Sequence, residues 1–273
     1  MPVMSADATP QTHSTEAELI AIRREKLAKL RELGIDPYGA RYPVDTTPGE
    51  LRANFSEGRR VKVAGRITAL RDMGKSVFFQ LGDVHGSIQG YLGTKNLGEN
   101  EAAAWKCLDR GDWIGIEGET FLTKTGEPTV KVQSFTVLSK SLRPMPDKFH
   151  GLADRETKYR KRHLDLMGNP ESANLFVTRS LMLAEIRKFL QDRGFLEVET
   201  PMLQDVAGGA AARPFETHHN ALGMPLTLRI APELFLKRLL VGGYTKIFEL
   251  NRNFRNEGIS RRHNPEFTML EAY

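Results

Sequence analysis

The sequence predicts an α+β protein in which a β-rich region precedes a region that mixes helices with strands. Between residues 60 and 142, short runs of alternating apolar and polar residues are separated by glycine-containing turns, a pattern typical of antiparallel strands. Beyond residue 170, apolar residues recur at helical spacing before further strand-like runs. A chain of 273 residues is long enough for about two domains with cores of their own.

Composition excludes several classes of protein. The hydrophobic content of 40% is ordinary for a globular chain, and no apolar run approaches the ~18 residues of a membrane span. The N-terminus lacks the basic and apolar segments of a signal peptide, so we predict a cytoplasmic protein. The single cysteine, Cys107, excludes an internal disulfide framework and a cysteine-cluster metal site. We expect Cys107 in a helix, buried or half-buried. The net charge of +5 permits a polyanionic partner.

The first 59 residues predict a disordered tail, residues 1–14, and a helical extension, residues 15–59. Thr15 and Glu18 form a capping box, and Gly34 is positioned to end the helix. An apolar stripe lies along this helix at Ile20, Leu27 and Leu30. The same helix carries basic residues that either aid packing and solubility or contact RNA: Arg23, Arg24, Lys26, Lys29 and Arg31.

Five strands and one helix are predicted between residues 60 and 142. The strands are Val61–Leu70, Ser76–Leu81, Ser87–Leu92, Trp113–Thr123 and Thr129–Lys140, with a helix at Glu99–Leu108. Five strands with a helix after the third is the order of the OB-fold, a small barrel that binds oligonucleotides. Because Phe78 and Phe79 are adjacent on the second strand, one should face outward as a stacking platform while the other fills the barrel.

Residues 143–166 read as a linker to a second domain at residues 167–273. Pro144 and Pro146 favour a linker, and the basic run Lys158–His163 either contacts RNA phosphates or forms a solvated face. A long helix is predicted from Ser172, ended by Gly194 and followed by a strand over residues 195–201. Its apolar stripe comprises Leu175, Met182, Ile186 and Phe189.

Several features of the second domain have two interpretations at this level. The small residues between Val206 and Phe215 either bring the backbone close to a ligand or form a flexible tether. Glu233, at the start of a predicted helix, either stabilises the helix N-terminus or lines a site. His218 and His219 lack a cysteine or acidic partner at ligand spacing, so we predict an exposed turn and no metal site.

A predicted hairpin near the C-terminus carries the strongest chemical signal. Strands over residues 244–250 and 267–273 should pair across a long basic loop, with Arg255 and Glu257 projecting from one face of the first strand. An arginine can grip a phosphate, a glutamate can accept from an adenine amine, and Phe267 offers a stacking face. These are the parts of a nucleoside triphosphate site, although polar surface loops of similar composition are common.

The order Phe254-Arg-Asn-Glu257, a basic loop, then Asn264-Pro-Glu-Phe267 resembles motif 2 of the class II aminoacyl-tRNA synthetases, and the flanking sequence resembles their lysyl members. The helix followed by Glu199-Thr-Pro201 is similar to motif 1, which implies a homodimer interface. Residues 143–166 are similar to the lysyl synthetase linker. Residues 60–142 resemble the anticodon-binding domain of the lysyl, aspartyl and asparaginyl enzymes. The implied fold is an OB barrel followed by an antiparallel class II sheet flanked by helices.

This resemblance implies ATP-dependent activation of L-lysine to lysyl-adenylate and transfer of the lysyl group to tRNA(Lys), with Mg²⁺. Arg255 would be the catalytic residue, at the α-phosphate. The implied ATP-binding set is Arg255, Glu257, Arg262, His263, Asn264 and Phe267. The implied lysine-binding set is Gly209, Glu233, Glu271 and Tyr273. The implied anticodon-binding set is Arg71, Phe78, Gln89 and Glu127.

The sequence departs from the family pattern after Tyr273, where the third class II motif and the magnesium-binding acidic residues would follow. We therefore expect the N-terminal part of a longer enzyme that would not activate lysine alone. One alternative is a non-catalytic RNA-binding paralogue that retains the barrel. Another is a ligase that lysylates a protein, although such relatives lack the anticodon-binding barrel.

Overall fold

The computed structural model describes residues 15–39, 41–145, 152 and 154–273. The predicted disordered tail, residues 1–14, lies outside the described residues, as do positions 146–151 and 153 of the predicted linker. The chain divides into two compact units, one extending to Asn174 and one spanning Leu175–Tyr273. Within the described ranges, no helix combines the length and apolar character that crossing a membrane requires.

Two capped helices open the first unit, α1 (Glu16–Glu32) and α2 (Pro48–Ala53). The Thr15 hydroxyl accepts from the Glu18 backbone N–H at 3.3 Å, and the Glu18 carboxylate accepts from the Thr15 N–H at 2.7 Å. This reciprocal pair satisfies two of the donors that a helix N-terminus leaves free. Gly34 follows the helix with a φ of 74°, so both predicted ends of α1 are confirmed.

Two basic residues of α1 follow the packing alternative. The side chain of Arg23 is buried and donates to the backbone oxygens of Arg110, Ser141 and Arg143 at 3.0 to 3.1 Å. Lys26 forms an ion pair with Asp109 at 2.5 Å. These two cations attach α1 to the rest of its unit because carbonyl and carboxylate oxygens of distant loops converge on them, which sequence spacing does not reveal.

The OB-fold prediction is confirmed. The strands are β1 (Arg60–Asp72), β2 (Ser76–Asp83), β3 (Gly86–Gly93), β4 (Trp113–Leu122) and β5 (Pro128–Ser139). They close into a barrel in the order β1-β2-β3-β5-β4. A short 3-10 turn (Thr94–Asn96) and helix α3 (Glu99–Lys106) lie between β3 and β4, as the predicted order requires.

The barrel core follows the period-two alternation of its strands. Phe79 is buried inside, whereas the half-buried Phe78 lies with its ring centroid 5.1 Å from that of Tyr91. A Cβ at Gly90 would come within 2.2 Å of the Phe79 ring, so this glycine makes room for the phenylalanine. Cys107 caps the C-terminus of α3 and is buried, as expected. The predicted inward orientation of Phe79 and outward orientation of Phe78 are therefore confirmed, and the stacking role of Phe78 stays a prediction.

Helices and short strands make up the remaining elements. These are α4 (Arg155–Arg160), α5 (Arg162–Gly168), α6 (Pro170–Gln191), β6 (Leu196–Glu197), β7 (Leu203–Gln204), β8 (Glu216–His219), β9 (Met224–Leu228), α7 (Glu233–Val241), β10 (Ile247–Phe254) and β11 (Glu266–Ala272). One three-stranded sheet has the order β11-β10-β6 and another β7-β9-β8. The sequence predicted an antiparallel sheet. The first sheet is instead mixed, because β6 runs parallel to β10.

The apolar stripe predicted along α6 is not its buried side. In the second unit, Leu190 packs with Phe248 and Leu250, and Leu183 and Ile186 join this cluster. Three of the four predicted stripe residues are exposed, Leu175 by 67%, Met182 by 53% and Phe189 by 53%. The helix therefore carries two apolar faces, and only one of them covers the sheet.

Two further local predictions need correction. The strand predicted over residues 195–201 is reduced to the two residues of β6, because Thr200 directs its N–H and hydroxyl to the Glu249 side chain and leaves the ladder. His218 and His219 lie on β8, paired with β9, and not in an exposed turn.

Candidate functional site

The C-terminal hairpin is present, but its first strand is displaced along the sequence. β10 runs to Phe254 and pairs with β11, with Asn253 opposite Phe267. The sequence predicted Arg255 and Glu257 on this strand. Both residues instead lie beyond its end. The Glu257 N–H donates to the Arg255 carbonyl at 3.0 Å, so the backbone turns between them. The expectation that both side chains project from one strand face is wrong.

Arg255 is held at the end of the hairpin with part of its guanidinium unpaired. Its backbone N–H donates to the Pro265 carbonyl at 2.8 Å. The centre of its guanidinium lies 5.3 Å from the Phe267 ring centroid, a cation–π distance. Its Nε atom is buried without a hydrogen-bond partner in the described part of the chain. The arrangement positions a cation beside an aromatic face and leaves one buried guanidinium donor unpaired.

Glu257 faces the loop of small residues between Val206 and Phe215, and it does not face Arg255. Its carboxylate accepts from the Arg213 N–H at 3.4 Å, and the Asn256 N–H donates to the Arg213 carbonyl at 2.8 Å. Among the predicted phosphate-binding residues, Arg262, His263 and Asn264 are exposed. The His263 ring nitrogen Nδ1 lies 2.8 Å from the Ser260 hydroxyl. The loop is therefore tied to the hairpin, and its basic side chains remain accessible.

Two carboxylates predicted to bind lysine lie near each other with different partners. Glu233 begins α7 and pairs with Lys237 at 2.6 Å, whereas Glu271 accepts from the Tyr273 hydroxyl at 3.3 Å. Burial raises the pKa of Glu271, the Tyr273 hydrogen bond opposes that shift, and the charge of Glu233 adds to it. Burial and the charge of Glu271 likewise raise the pKa of Tyr273. A Cβ at Gly209 would lie 3.0 Å from the Glu233 Cβ. The backbone of the predicted loop glycine therefore lies close to the Glu233 side chain.

The sequence reasoning missed a buried ion pair beside these carboxylates. Arg229 and Glu249 are both buried and their Nη1 and Oε1 atoms lie 2.6 Å apart. Thr200 bonds to both partners, and Glu249 lies opposite Glu271 across β10 and β11. A charged residue inside each of two apolar runs, Leu228–Ala231 and Ile247–Leu250, is the signal that could have revealed the pair, since isolated buried charges are rare.

Three of the four predicted anticodon residues meet on the barrel. Arg71, Phe78 and Gln89 line one pocket, together with Ala69, Phe79 and Gln80. Glu127 is not among the lining residues. Its carboxylate makes two hydrogen bonds with the Arg52 guanidinium, at 2.7 and 3.4 Å. Sequence reasoning did not single out Gln80, although its two-residue spacing from Phe78 on a strand placed it on the same face.

Comparison with protein-family models assigns both regions. Residues 61–138 match the model described as an OB-fold nucleic acid binding domain. Residues 154–273 match the model described as tRNA synthetases class II (D, K and N). The C-terminal region is therefore a class II tRNA synthetase domain, and an OB-fold domain precedes it.

Curated relatives of the chain carry a more specific name. A lysine--tRNA ligase from Syntrophomonas wolfei subsp. wolfei is 55% identical over 259 residues, which is 94% of this chain and 52% of the relative. Similar values hold for lysine--tRNA ligases from Carboxydothermus hydrogenoformans, 54% identical over 96% of this chain and 54% of the relative, and Bacillus cereus, 50% over the same shares. The chain spans about half the length of the curated relatives it matches.

Proposed function

We propose that the protein activates L-lysine with ATP and transfers the lysyl group to tRNA(Lys). The observation that carries this proposal is the Arg255 guanidinium over the Phe267 ring, with an unpaired buried donor, in the same unit as Glu233 and Glu271. Arg255 and Phe267 suit a phosphate and an adenine ring, whereas Glu233 and Glu271 suit a cationic amino acid. The matches to lysine--tRNA ligases support this assignment.

In this proposal the ATP lies against the hairpin. Arg255 holds the α-phosphate and stabilises the charge that develops there, because a preorganised donor acts most strongly where charge appears in the transition state. Phe267 stacks on the adenine and Glu257 accepts from its amine. Arg262, His263 and Asn264 hold the terminal phosphates, for which their exposure in the loop suits them.

The lysine lies against the acidic residues in this proposal. Glu233 and Glu271 offer two carboxylates for a substrate that carries two ammonium groups, and Tyr273 orients Glu271 through its hydrogen bond. Gly209 brings the loop backbone to Glu233 without a side chain in the way. A neutral or acidic amino acid would leave a carboxylate without a cation in a partly buried site, which is costly.

Mg²⁺ belongs to the proposed reaction because class II enzymes bind ATP with this ion. Among the residues that the structure describes, no group of three His, Cys, Asp or Glu side chains is arranged to hold a metal ion. We therefore assign no magnesium ligand and derive no step through the ion. The positioning described above is the work of Arg255 and its neighbours.

The barrel binds the tRNA anticodon in this proposal. Phe78 supplies a stacking platform, and Arg71 and Gln89 lie in the same pocket. Glu127, the fourth residue of the proposed anticodon set, pairs with Arg52 and is not among the residues that line the pocket. The cytoplasm, where tRNA is used, is the proposed location. Single-stranded bases stacked on aromatic side chains and read at their edges are the usual mode of sequence-specific RNA recognition.

We also propose a homodimer through the outer face of α6. Leu175, Leu181, Met182 and Phe189 are exposed large apolar side chains on this helix, and contiguous exposed apolar surface is typical of protein interfaces. A second copy that covers this face would remove it from water. A protein that sediments as a monomer at micromolar concentration would contradict the dimer.

The experiment that tests the proposed function is ATP–pyrophosphate exchange with each amino acid in turn. It is run on this chain and on a chimera that joins it to the C-terminal half of the Carboxydothermus hydrogenoformans relative. We expect lysine-dependent exchange from the chimera, with other amino acids near background. Exchange with a different amino acid would refute the lysine assignment. An inactive chimera that still binds RNA would instead favour a non-catalytic RNA-binding function.

A further inference from the structure

The pocket on the barrel contains a second glutamine whose role the proposed function leaves open. Gln80 lies directly opposite Gln89 in the pairing of β2 with β3, and opposite Ala69 in the pairing of β1 with β2. Directly opposed residues have Cβ atoms about 4.5–5.5 Å apart, so the two amides are neighbours. Both line the pocket with Phe78 and Arg71.

The oxygen atoms of the two amides have different surroundings. The Gln80 oxygen is buried and has no hydrogen-bond partner among the residues that the structure describes. Because this oxygen is buried, the Nε2 group is the polar part of the Gln80 amide that remains for a ligand in the pocket. The Gln89 oxygen accepts from the Thr129 hydroxyl at 2.8 Å, and Thr129 is fully buried. With this oxygen engaged, the Nε2 group is the polar part of the Gln89 amide that remains for a ligand.

The pocket thus offers hydrogen-bond donors from several sides. Its lining includes two glutamine amides and Arg71, all of which can donate hydrogen bonds, beside Phe78. Uracil and guanine present a keto oxygen at the edge where cytosine and adenine present an amino group. A keto oxygen accepts from these donors, whereas an amino group places donor against donor.

We propose that Gln80 is a further base-reading residue. Its Nε2 group donates, together with that of Gln89, to the keto oxygen of one unstacked base held on Phe78. The pocket therefore selects uracil or guanine over cytosine or adenine at that position. This inference rests on the proposed function, in which the barrel binds the anticodon loop, and it adds a selecting residue and the chemical class of base.

The unpaired oxygen of Gln80 gives this proposal a signature in stability. A buried acceptor without a partner destabilises the folded state, and an apolar side chain of similar shape removes that cost. Gln80→Met should therefore raise the melting temperature of the barrel while it weakens base selection. A glutamine kept for structural reasons would show a lowered melting temperature and unchanged selection.

The test measures binding of the 273-residue chain to hairpin RNAs that differ at a single anticodon base, with each of the three positions varied in turn, by fluorescence anisotropy at fixed salt. The measured quantity is the ratio of affinities for keto-base and amino-base hairpins. Loss of one hydrogen bond in Gln80→Met should lower this ratio about three- to tenfold. Gln80→Glu, which replaces the donor by an acceptor, should reverse the preference.

A matched control separates base reading from general electrostatics. Gln133 is an exposed glutamine on β5 outside the pocket lining, so Gln133→Glu introduces the same charge and should weaken all hairpins alike. An unchanged ratio in Gln80→Met, or a Gln80→Glu effect that matches Gln133→Glu, would overturn the proposal. If Phe78→Ala also leaves RNA binding unchanged, the anticodon function itself fails. If Phe78→Ala weakens binding while Gln80→Met keeps the ratio, only the role of Gln80 fails.

Discussion

The barrel unit and the second unit treat their buried polar groups in different ways. In the barrel unit, the buried Lys140 pairs with Asp112 at 2.8 Å and Asp109 at 2.6 Å, and Asp112 also accepts from the Ser141 N–H. In the second unit, Arg229 pairs with Glu249, yet its Nη2 atom is buried without a partner in the described chain. One network is closed, and the other leaves a donor unused.

The location of the unused groups is informative. Within the described ranges, four buried side-chain atoms lack a hydrogen-bond partner: Gln80 Oε1, Arg229 Nη2, Asn253 Oδ1 and Arg255 Nε. The first belongs to the barrel pocket, and the other three lie on or beside β10. Since native proteins rarely leave buried polar atoms unpaired, their concentration beside both proposed sites distinguishes these regions from the rest of the described chain.

The apolar core of the barrel unit is larger than that of the second unit. The barrel unit buries a large cluster that includes Leu30 of α1, Leu51 of α2, and Ile114 and Ile116 of β4. The corresponding cluster in the second unit comprises Leu190, Phe248 and Leu250 with their partly buried neighbours. The second unit therefore buries a smaller apolar cluster, and large apolar side chains of α6 remain exposed.

The largest expected effect separates the stabilities of the two units. Arg229→Met leaves Glu249 buried without its cation, which should cost about 3–5 kcal/mol. Both tryptophans, Trp105 and Trp113, belong to the barrel unit, so tryptophan fluorescence follows barrel unfolding and amide exchange in β10 follows the second unit. We expect faster exchange in β10 with little change in the fluorescence transition. Equal changes in both would contradict the separation, and Arg229→Met with Glu249→Met should recover much of the loss.

The next effect concerns catalysis in the second unit. Arg255→Ala in the chimera should reduce lysine-dependent exchange about 10²–10³-fold, because it removes a donor aimed at developing charge. RNA affinity should not change, since the barrel keeps its own site. Arg252→Ala is the control, because Arg252 is an exposed arginine of β10 that lies 3.5 Å from Glu266. A similar loss in both variants would show that the effect is not specific to Arg255.

A smaller effect concerns RNA binding by the barrel. Phe78→Ala should weaken binding of the anticodon hairpin by about 1–3 kcal/mol, the usual contribution of stacking on one base. Exchange activity without tRNA should be unchanged. Tyr38, an exposed aromatic of the same unit outside the pocket, provides the control variant Tyr38→Ala. Unchanged affinity in Phe78→Ala at fixed salt would contradict the stacking role.

The smallest effect at neutral pH arises from Glu271. Burial raises the pKa of this carboxyl above its ordinary value of 4.5, and only the ionised form attracts an ammonium group. Lysine affinity of the chimera should therefore fall as the pH drops through the raised pKa, at a higher pH than an ordinary glutamate predicts. Calorimetric titrations across this range provide the measurement. Glu271→Gln should bind lysine more weakly and lack this pH step, so a step that persists in the variant would assign it to another group.

Local patterns predicted much of the fold. Period-two alternation, turn residues and a capping box placed α1, the five barrel strands and α3 close to their observed bounds. Prediction was weaker in the second unit, where β6 has two residues and β10 starts three residues later than expected. There, side chains such as Thr200 bond to distant partners in place of a neighbouring strand, so alternation in sequence does not define the strand.

The candidate site shows the same division. Residue types and their resemblance to known motifs named Arg255, Phe267, Glu233 and Glu271, but the exposure of the α6 stripe and the position of Arg255 beyond β10 needed the structure. The approach of Gly209 to Glu233 and the absence of Glu127 from the pocket lining also depend on contacts between separate loops and strands.

The sequence by itself determined the class of fold, the order of its elements and the residues that resemble a lysine-activating enzyme, because these depend on interactions between near neighbours. The tertiary structure alone decided which charges are buried and which donors remain unused. Arg23 bonds to carbonyls more than 80 residues away, and Arg229 meets Glu249 across 20 residues. Only folding brings such partners together, and it also places Gln80 in the lining of the barrel pocket.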